Sequence, residues 1–240
     1  IIHILLNDAL VPRKFNDEYG EIDYWNDRYI KEKDTRIHFD WYHGYSTLKN
    51  FLSKFVQKSD SILNIGCGNS KIGEDMNDDS FTNIFNIDYS EPCIEIMKER
   101  TKHRVGCEYL TMDGRDMTFE DNSFHAVLDK GTLDAISCFG VEDAKQMCLE
   151  VSRILKPGGF FIVLSYGSPD ARLPILQNTH YNWTVSVRMG GMTKDTPENQ
   201  CHYIYIMHKD SNGLIPFPAE EFDVYLNSSI GKLPLEILSK

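Results

Sequence analysis

Short apolar runs alternate along this chain with longer stretches in which apolar residues recur every third or fourth position. The first kind predicts buried strands and the second amphipathic helices. An N-terminal helical stretch carries Tyr24, Trp25, Arg28 and Tyr29, and a second helix runs from about Tyr45 to Gln57 with Leu48, Phe51, Leu52 and Phe55 on one face. Ser61–Ile65 reads as a strand ending in Gly66-Cys67-Gly68. Asn83–Asp88 is the second strand, followed by a helix from about Ser90 with Ile94 and Met97 facing inward. Ser90 is a natural N-cap, and Pro92 fits a first turn. Cys107–Met112 and Phe124–Asp129 are the third and fourth strands. The helix that follows places Ala144, Met147, Cys148, Val151, Ile154 and Leu155 on one stripe; Pro157-Gly158-Gly159 ends it, and Phe160–Ser165 is the fifth strand.

Strands that alternate with helices predict a parallel sheet covered on both faces. Trp183–Arg188 and Cys201–His208 differ: they alternate apolar and polar residues across a Gly-rich polar connection, as an antiparallel hairpin does. The expected fold is α/β, a doubly wound, mainly parallel seven-stranded sheet with a C-terminal hairpin closing one edge. The expected divisions are an N-terminal extension at 1–18, one domain at 19–209 and a tail at 210–240.

Composition narrows the function classes. A net charge of −11 argues against a phosphate-backbone partner and suits a basic one. The six cysteines form no Cys-x-x-Cys pair and no zinc-type spacing, which leaves no metal site and suggests reduced thiols in the cytoplasm. No apolar run reaches the roughly 20 residues needed to cross a bilayer. Ile1–Leu10 lacks the basic flank and cleavage site of a secretory signal. The missing initiator Met suggests a trimmed start, so a targeting segment ahead of residue 1 stays open.

Ligands of open α/β sheets bind at the carboxyl ends of the strands, where strand order reverses. Four successive strand ends here carry special residues. Gly66-Cys67-Gly68 allows a sharp turn and close approach of the backbone. Asp88, some 20 residues on, can accept from both hydroxyls of a ribose. Asp113-Gly114 follows the third strand, and Asp129-Lys130-Gly131 the fourth. A dinucleotide fingerprint would need a third glycine where Lys71 stands, so NAD is disfavoured.

At these residues the chain resembles the class I, seven-stranded methyltransferases that use S-adenosylmethionine (SAM), with a Rossmann-like fold. Within them it is similar to the group that methylates lysines of translation elongation factor 1-alpha. The strings that carry the likeness are Tyr24-Trp25 with Arg28-Tyr29, Asp40-Trp41-Tyr42, Leu63 to Ser70, Asn86 to Ser90, Met112-Asp113 and Leu128 to Ala135. The resemblance implies that Gly66 lines the methionine part of SAM, that Asp88 holds the ribose with Tyr89 beside the adenine, and that Asp113 and Gly114 read the adenine edge. It implies that Trp25, Tyr29 and Trp41 belong to an N-terminal lid and that Lys130 lies near the methionine end. Asn64 stands where many class I enzymes carry an acid, and Ser70 where they carry a third glycine.

The expected activity is methyl transfer to a protein lysine, with S-adenosylhomocysteine as by-product and no dedicated base. Asp129 or Asp134 is a candidate for orienting the amine. Elongation factor 1-alpha is the expected partner, with no direct nucleic acid and no membrane. Methylation of a small molecule and a non-catalytic SAM-binding scaffold are the alternatives, since one fold hosts many functions.

Overall fold

A computed structural model describes residues 17–33, 38–190 and 202–210. The expected extension at 1–18 (except 17 and 18), the tail at 210–240 (except 210), Cys201 and the hairpin connection at 191–200 lie outside the described residues.

Seven strands form one sheet: β1 (Ile62–Ile65), β2 (Ile84–Asp88), β3 (Cys107–Thr111), β4 (Phe124–Lys130), β5 (Leu155–Ser165), β6 (Trp183–Gly190) and β7 (His202–Lys209), in the order β3-β2-β1-β4-β5-β7-β6. The first five run parallel, and β7 is antiparallel to both neighbours. The hairpin closes one edge as expected, with its later strand on the inside. Among the described residues seven α-helices accompany the sheet: α1 (Ile22–Glu32), α2 (Tyr45–Leu52), α3 (Ile72–Asp78), α4 (Glu91–Thr101), α5 (Thr132–Phe139), α6 (Val141–Ile154) and α7 (Pro169–Leu176).

Successive strand residues point to opposite faces, and each face has its own core. Ile62, Ile84, Ala126, Leu128 and Ile162 pack with Trp25, Leu48, Met76 and Ile94 of α1 to α4. Leu63, Ile87, Val127, Phe161 and Val163 pack with Met147, Val151 and Ile175 of α6 and α7. The Ser90 cap forms, its Oγ accepting from Cys93 N at 3.4 Å.

Two boundaries differ from expectation. Helix α2 stops at Leu52, and tight turns carry the chain on to the buried Phe55 and Val56. Helix α6 stops at Ile154, and β5 already starts at Leu155, so Pro157-Gly158-Gly159 lies inside the strand. Pairing with β4 jumps there from Phe124↔Leu155 to Ala126↔Phe160. Pro157 bars the helical conformation for the residue before it, which forces the early exit. A Cβ on Gly159 would lie 2.8 Å from the His125 carbonyl oxygen, so glycine is what lets the irregular strand hug its neighbour.

The chain leaves β1 for β2 on one side and later returns to β4 on the other. That reversal opens a crevice above the carboxyl ends of β1 and β4.

Candidate active site

The crevice is a cavity whose floor is the strand ends and whose upper wall is α1 with the segment 38–42. All nine residues expected to touch a ligand, from Trp25 to Lys130, line it.

The floor is built on close backbone approaches. Gly66 and Gly68 have φ of +58° and +51°. A Cβ on Gly66 would lie 2.1 Å from Thr132 Oγ1, and one on Gly68 2.7 Å from the Tyr29 hydroxyl. Both conformation and space therefore demand glycine. Thr132 Oγ1 in turn donates to the Ile65 carbonyl at 2.8 Å, so the start of α5 leans directly on the glycine turn.

Asp88, buried at the end of β2, accepts from Gly68 N (2.9 Å) on one oxygen and from Ser90 N (3.0 Å) on the other. Burial pushes its pKa up to about 6, even though backbone donors favour the charged form. The Tyr89 backbone also favours the charged form, and the carboxylate still keeps acceptor capacity for a ligand hydroxyl. Tyr89 follows in the cavity wall.

Asp113 is engaged by an arginine the sequence did not single out. Arg115 donates to it from Nη2 (2.7 Å) and Nε (3.0 Å) and reaches Asp143 at 2.8 Å. Burial works to raise the Asp113 pKa, but the Arg115 hydrogen bonds and charge outweigh it and hold the carboxyl below its usual range. Beside it, a Cβ on Gly114 would lie 2.6 Å from Ile65 Cδ1.

The aromatic upper wall already encloses a cation. The Trp25 indole donates to the Tyr19 carbonyl at 2.8 Å, and its ring lies 6.1 Å from that of Tyr29, near parallel. Trp41 meets Phe39 edge-on at 5.0 Å. The Arg28 guanidinium sits 5.6, 5.3 and 5.9 Å from the Trp25, Phe39 and Trp41 rings and pairs with Glu32 at 3.0 Å. Its four-residue spacing from Glu32 was visible in the sequence, but not its place among the rings.

Lys130 is buried and held. Its Nζ donates to Asp40 Oδ1 at 2.5 Å and to the His43 carbonyl at 3.2 Å. Burial lowers its pKa, and Asp40 counters that. Ser70 Oγ also donates to Asp40, tying the glycine turn to the same loop.

The two aspartates expected as orienters of an amine are otherwise engaged. Asp129 is absent from the cavity wall and fully buried; it accepts from Thr132 N (2.8 Å) and Leu133 N (2.9 Å), capping α5 from below. Burial, then the neighbouring Asp134, pushes its pKa up to about 8. Asp134 does line the cavity, but Arg172 (2.8 Å), Ser165 Oγ, the Tyr42 hydroxyl and Tyr166 N (3.2 Å) converge on its oxygens. Spacing alone could not show these bonds, because Arg172 and Tyr42 come from distant parts of the chain.

One atom of the floor lacks a partner. Asn64 Nδ2 donates to Asn86 Oδ1 at 2.6 Å, and Asn86 Nδ2 is fixed by the Glu108 carbonyl at 3.0 Å. That leaves Asn64 Oδ1 buried without a donor. A buried acceptor in a cavity wall calls for a donor from what binds there. Among the described residues no cluster of His, Cys, Asp and Glu could hold a metal, and no helix is long and apolar enough to cross a membrane.

Residues 63–163 match a family of methyltransferase domains. Mouse EEF1A lysine methyltransferase 4 is 32% identical over 210 residues, covering 83% of this chain and 79% of that protein. Human eEF1A lysine and N-terminal methyltransferase is 38% identical over 161 residues, covering 65% of this chain but only 23% of that longer protein. A solved SAM-dependent methyltransferase from Methanosarcina mazei superposes with a TM-score of 0.54 at 18% identity, over 72% of this chain and 99% of that one, which shows the shared fold. Identity at this level across most of a relative's length establishes that the chain belongs to the EEF1A lysine methyltransferase family of SAM-dependent enzymes.

Proposed function

We propose that this protein transfers methyl groups from SAM to a lysine side chain of translation elongation factor 1-alpha, in the cytoplasm. The observation that carries this is the match to mouse EEF1A lysine methyltransferase 4, which covers 83% of this chain and 79% of that protein rather than a nucleoside-binding segment alone. The net charge of −11 suits a Lys-bearing protein partner and not a nucleic acid. Five free cysteines among the described residues suit a reducing compartment.

The residues present fit the cofactor. Asp88 would take both ribose hydroxyls, Asp113 and the Gly114 backbone the adenine edge, and Tyr89 the ring face. Gly66 would leave room for the methionine portion, with Lys130 near its end. Asn64 Oδ1, which lacks a donor, would accept one from the methionine ammonium. Trp25, Tyr29 and Trp41 would close over the top. When bound, SAM supplies an electrophilic methyl group on a sulfonium.

The acceptor must arrive uncharged. A lysine with an ordinary pKa near 10.4 needs roughly 4–5 kcal/mol to lose its proton at pH 7. Desolvation in the cavity offsets part of that by disfavouring the ammonium form. Tritiated SAM incubated with the protein and a cell extract should label elongation factor 1-alpha. Label confined to low-mass material would instead favour a small-molecule methyltransferase. Binding of SAM without labelling of any fraction would favour a scaffold.

A further inference from the structure

Asp113 does not meet a ligand as a free carboxylate, because three donors already hold it, all from Arg115. The Arg115 backbone N reaches Oδ1 at 2.8 Å, Nε is shared between Oδ1 (3.0 Å) and Oδ2 (3.1 Å), and Nη2 reaches Oδ2 at 2.7 Å. A carboxylate offers roughly four acceptor sites, so about one remains. The exocyclic amino group of an adenine has an N–H to fill it.

Arg115 is in turn held from its far side. Its Nη1 donates to Asp143 Oδ1 at 2.8 Å, in the first turn of α6. The guanidinium lies 5.3 Å from the ring centroid of Phe139, the last residue of α5. The Arg115 carbonyl accepts from Gln146 Nε2 at 3.3 Å, further along α6. A guanidinium is planar and presents its donors as a rigid fork, so fixing one edge on Asp143 sets the direction of the other. The orientation of Asp113 is therefore set by helix α6 and not by the strand end that precedes it.

We propose that Arg115 is the positioning residue that makes this site specific for adenine. It turns the last open acceptor of Asp113 toward the base, so that an amino group is bound and an oxo group in its place is refused. The inference rests on the SAM-dependent function proposed above and names what decides the choice of base. Arg115, Asp113 and Phe139 all line the cavity.

The refusal follows from the same bonds. A base with an oxo group at that position turns a lone pair toward a carboxylate lone pair, and neither acceptor then finds a donor. A free carboxylate could rotate away from such a base, but one gripped at both oxygens by a fork holds its direction. Asp113 is partly exposed, so without the fork it would turn into water and leave amino and oxo bases equally favoured.

The test uses the full chain and calorimetry with two ligands, S-adenosylhomocysteine and its counterpart with hypoxanthine in place of adenine. The wild type should bind the adenine compound about tenfold more tightly or better. Arg115→Met keeps a side chain that covers Phe139 but removes the fork. It should weaken S-adenosylhomocysteine about tenfold, leave the hypoxanthine compound within about threefold, and so abolish the preference. Arg115→Lys, which keeps the charge without the fork, should restore only part of it. Asp143→Asn loosens the far edge of the fork and should narrow the preference about threefold. Where Arg115→Met does not fold, Asp143→Asn decides, and an unchanged preference there overturns the proposal. If the wild type prefers adenine and a folded Arg115→Met keeps that preference, or weakens both ligands alike, Arg115 only anchors its loop and the proposal is wrong while the function stands. A wild type that binds both compounds equally overturns the proposal and not the function. A wild type that binds neither overturns the two together.

Discussion

Around Asp88 the cavity is held by main-chain groups, whereas around Asp134 it is held by side chains brought from far along the chain. Asp88 accepts from Gly68 N and Ser90 N, 20 and two residues away. Asp134 takes the Tyr42 hydroxyl from 92 residues away and the Arg172 guanidinium from 38 away. The first arrangement follows once parallel strands pair, and it leaves acceptor capacity free for a ligand. The second consumes the capacity of buried charges to fix loop positions, so a single lost group undoes it.

That contrast predicts its largest effect at Asp134. Asp134→Ala leaves the buried Arg172 guanidinium without its carboxylate and should lower stability by about 3–5 kcal/mol, read from denaturant midpoints. A loss under about 1 kcal/mol would mean that the two sides do not differ in kind.

The floor should respond through pH instead. Because the Asp88 pKa is raised to about 6, the carboxylate takes a proton as pH falls through that value. It then no longer accepts from both ribose hydroxyls, so affinity for S-adenosylhomocysteine should fall by about tenfold per pH unit below 6. Stability of the ligand-free protein moves the other way. The folded state holds this proton more tightly than the unfolded chain, so Asp88 contributes stability at low pH that is lost as pH rises through about 6. Calorimetry from pH 5 to 8 reads the affinity, and a flat profile would remove Asp88 from the ribose.

The smallest effect sharpens the role of backbone conformation. Gly68→Ala puts a Cβ at positive φ and against the Tyr29 hydroxyl, and should cost about 1–2 kcal/mol. Tyr29→Phe in the same chain should return part of it, because the clash is with that oxygen. A double-mutant cycle without coupling would show that strain alone is responsible.

The same division governs what the sequence made legible. The strands and the strand-end residues Gly66, Asp88, Asp113, Gly114 and Lys130 follow from local pattern, because each sits at or just beyond the end of an apolar run, whereas Trp25, Tyr29, Trp41 and Tyr89 follow only from the family resemblance. Helix α5 was present only as the string around Thr132, and α7 was hidden by Pro174 in its interior. The roles of Arg28, Arg115, Tyr42 and Arg172 depend on partners met in three dimensions. An arginine among aromatic rings leaves no periodic trace, and a tyrosine bonded across 92 residues leaves none either. Asp129 misled for the opposite reason. Its position at a strand end looks catalytic, yet its carboxylate caps the helix that follows.

The placement of β7 between β5 and β6 bears on how the chain acquires its shape during synthesis. Strand β6 leaves the ribosome before the strand that joins it to the sheet. Until residues 202–209 emerge, β5 presents a bare row of amide and carbonyl groups, the kind of edge that recruits foreign strands. The nucleoside floor depends on none of those pairings, so a nascent chain can shape its cofactor site while its opposite flank still needs protection.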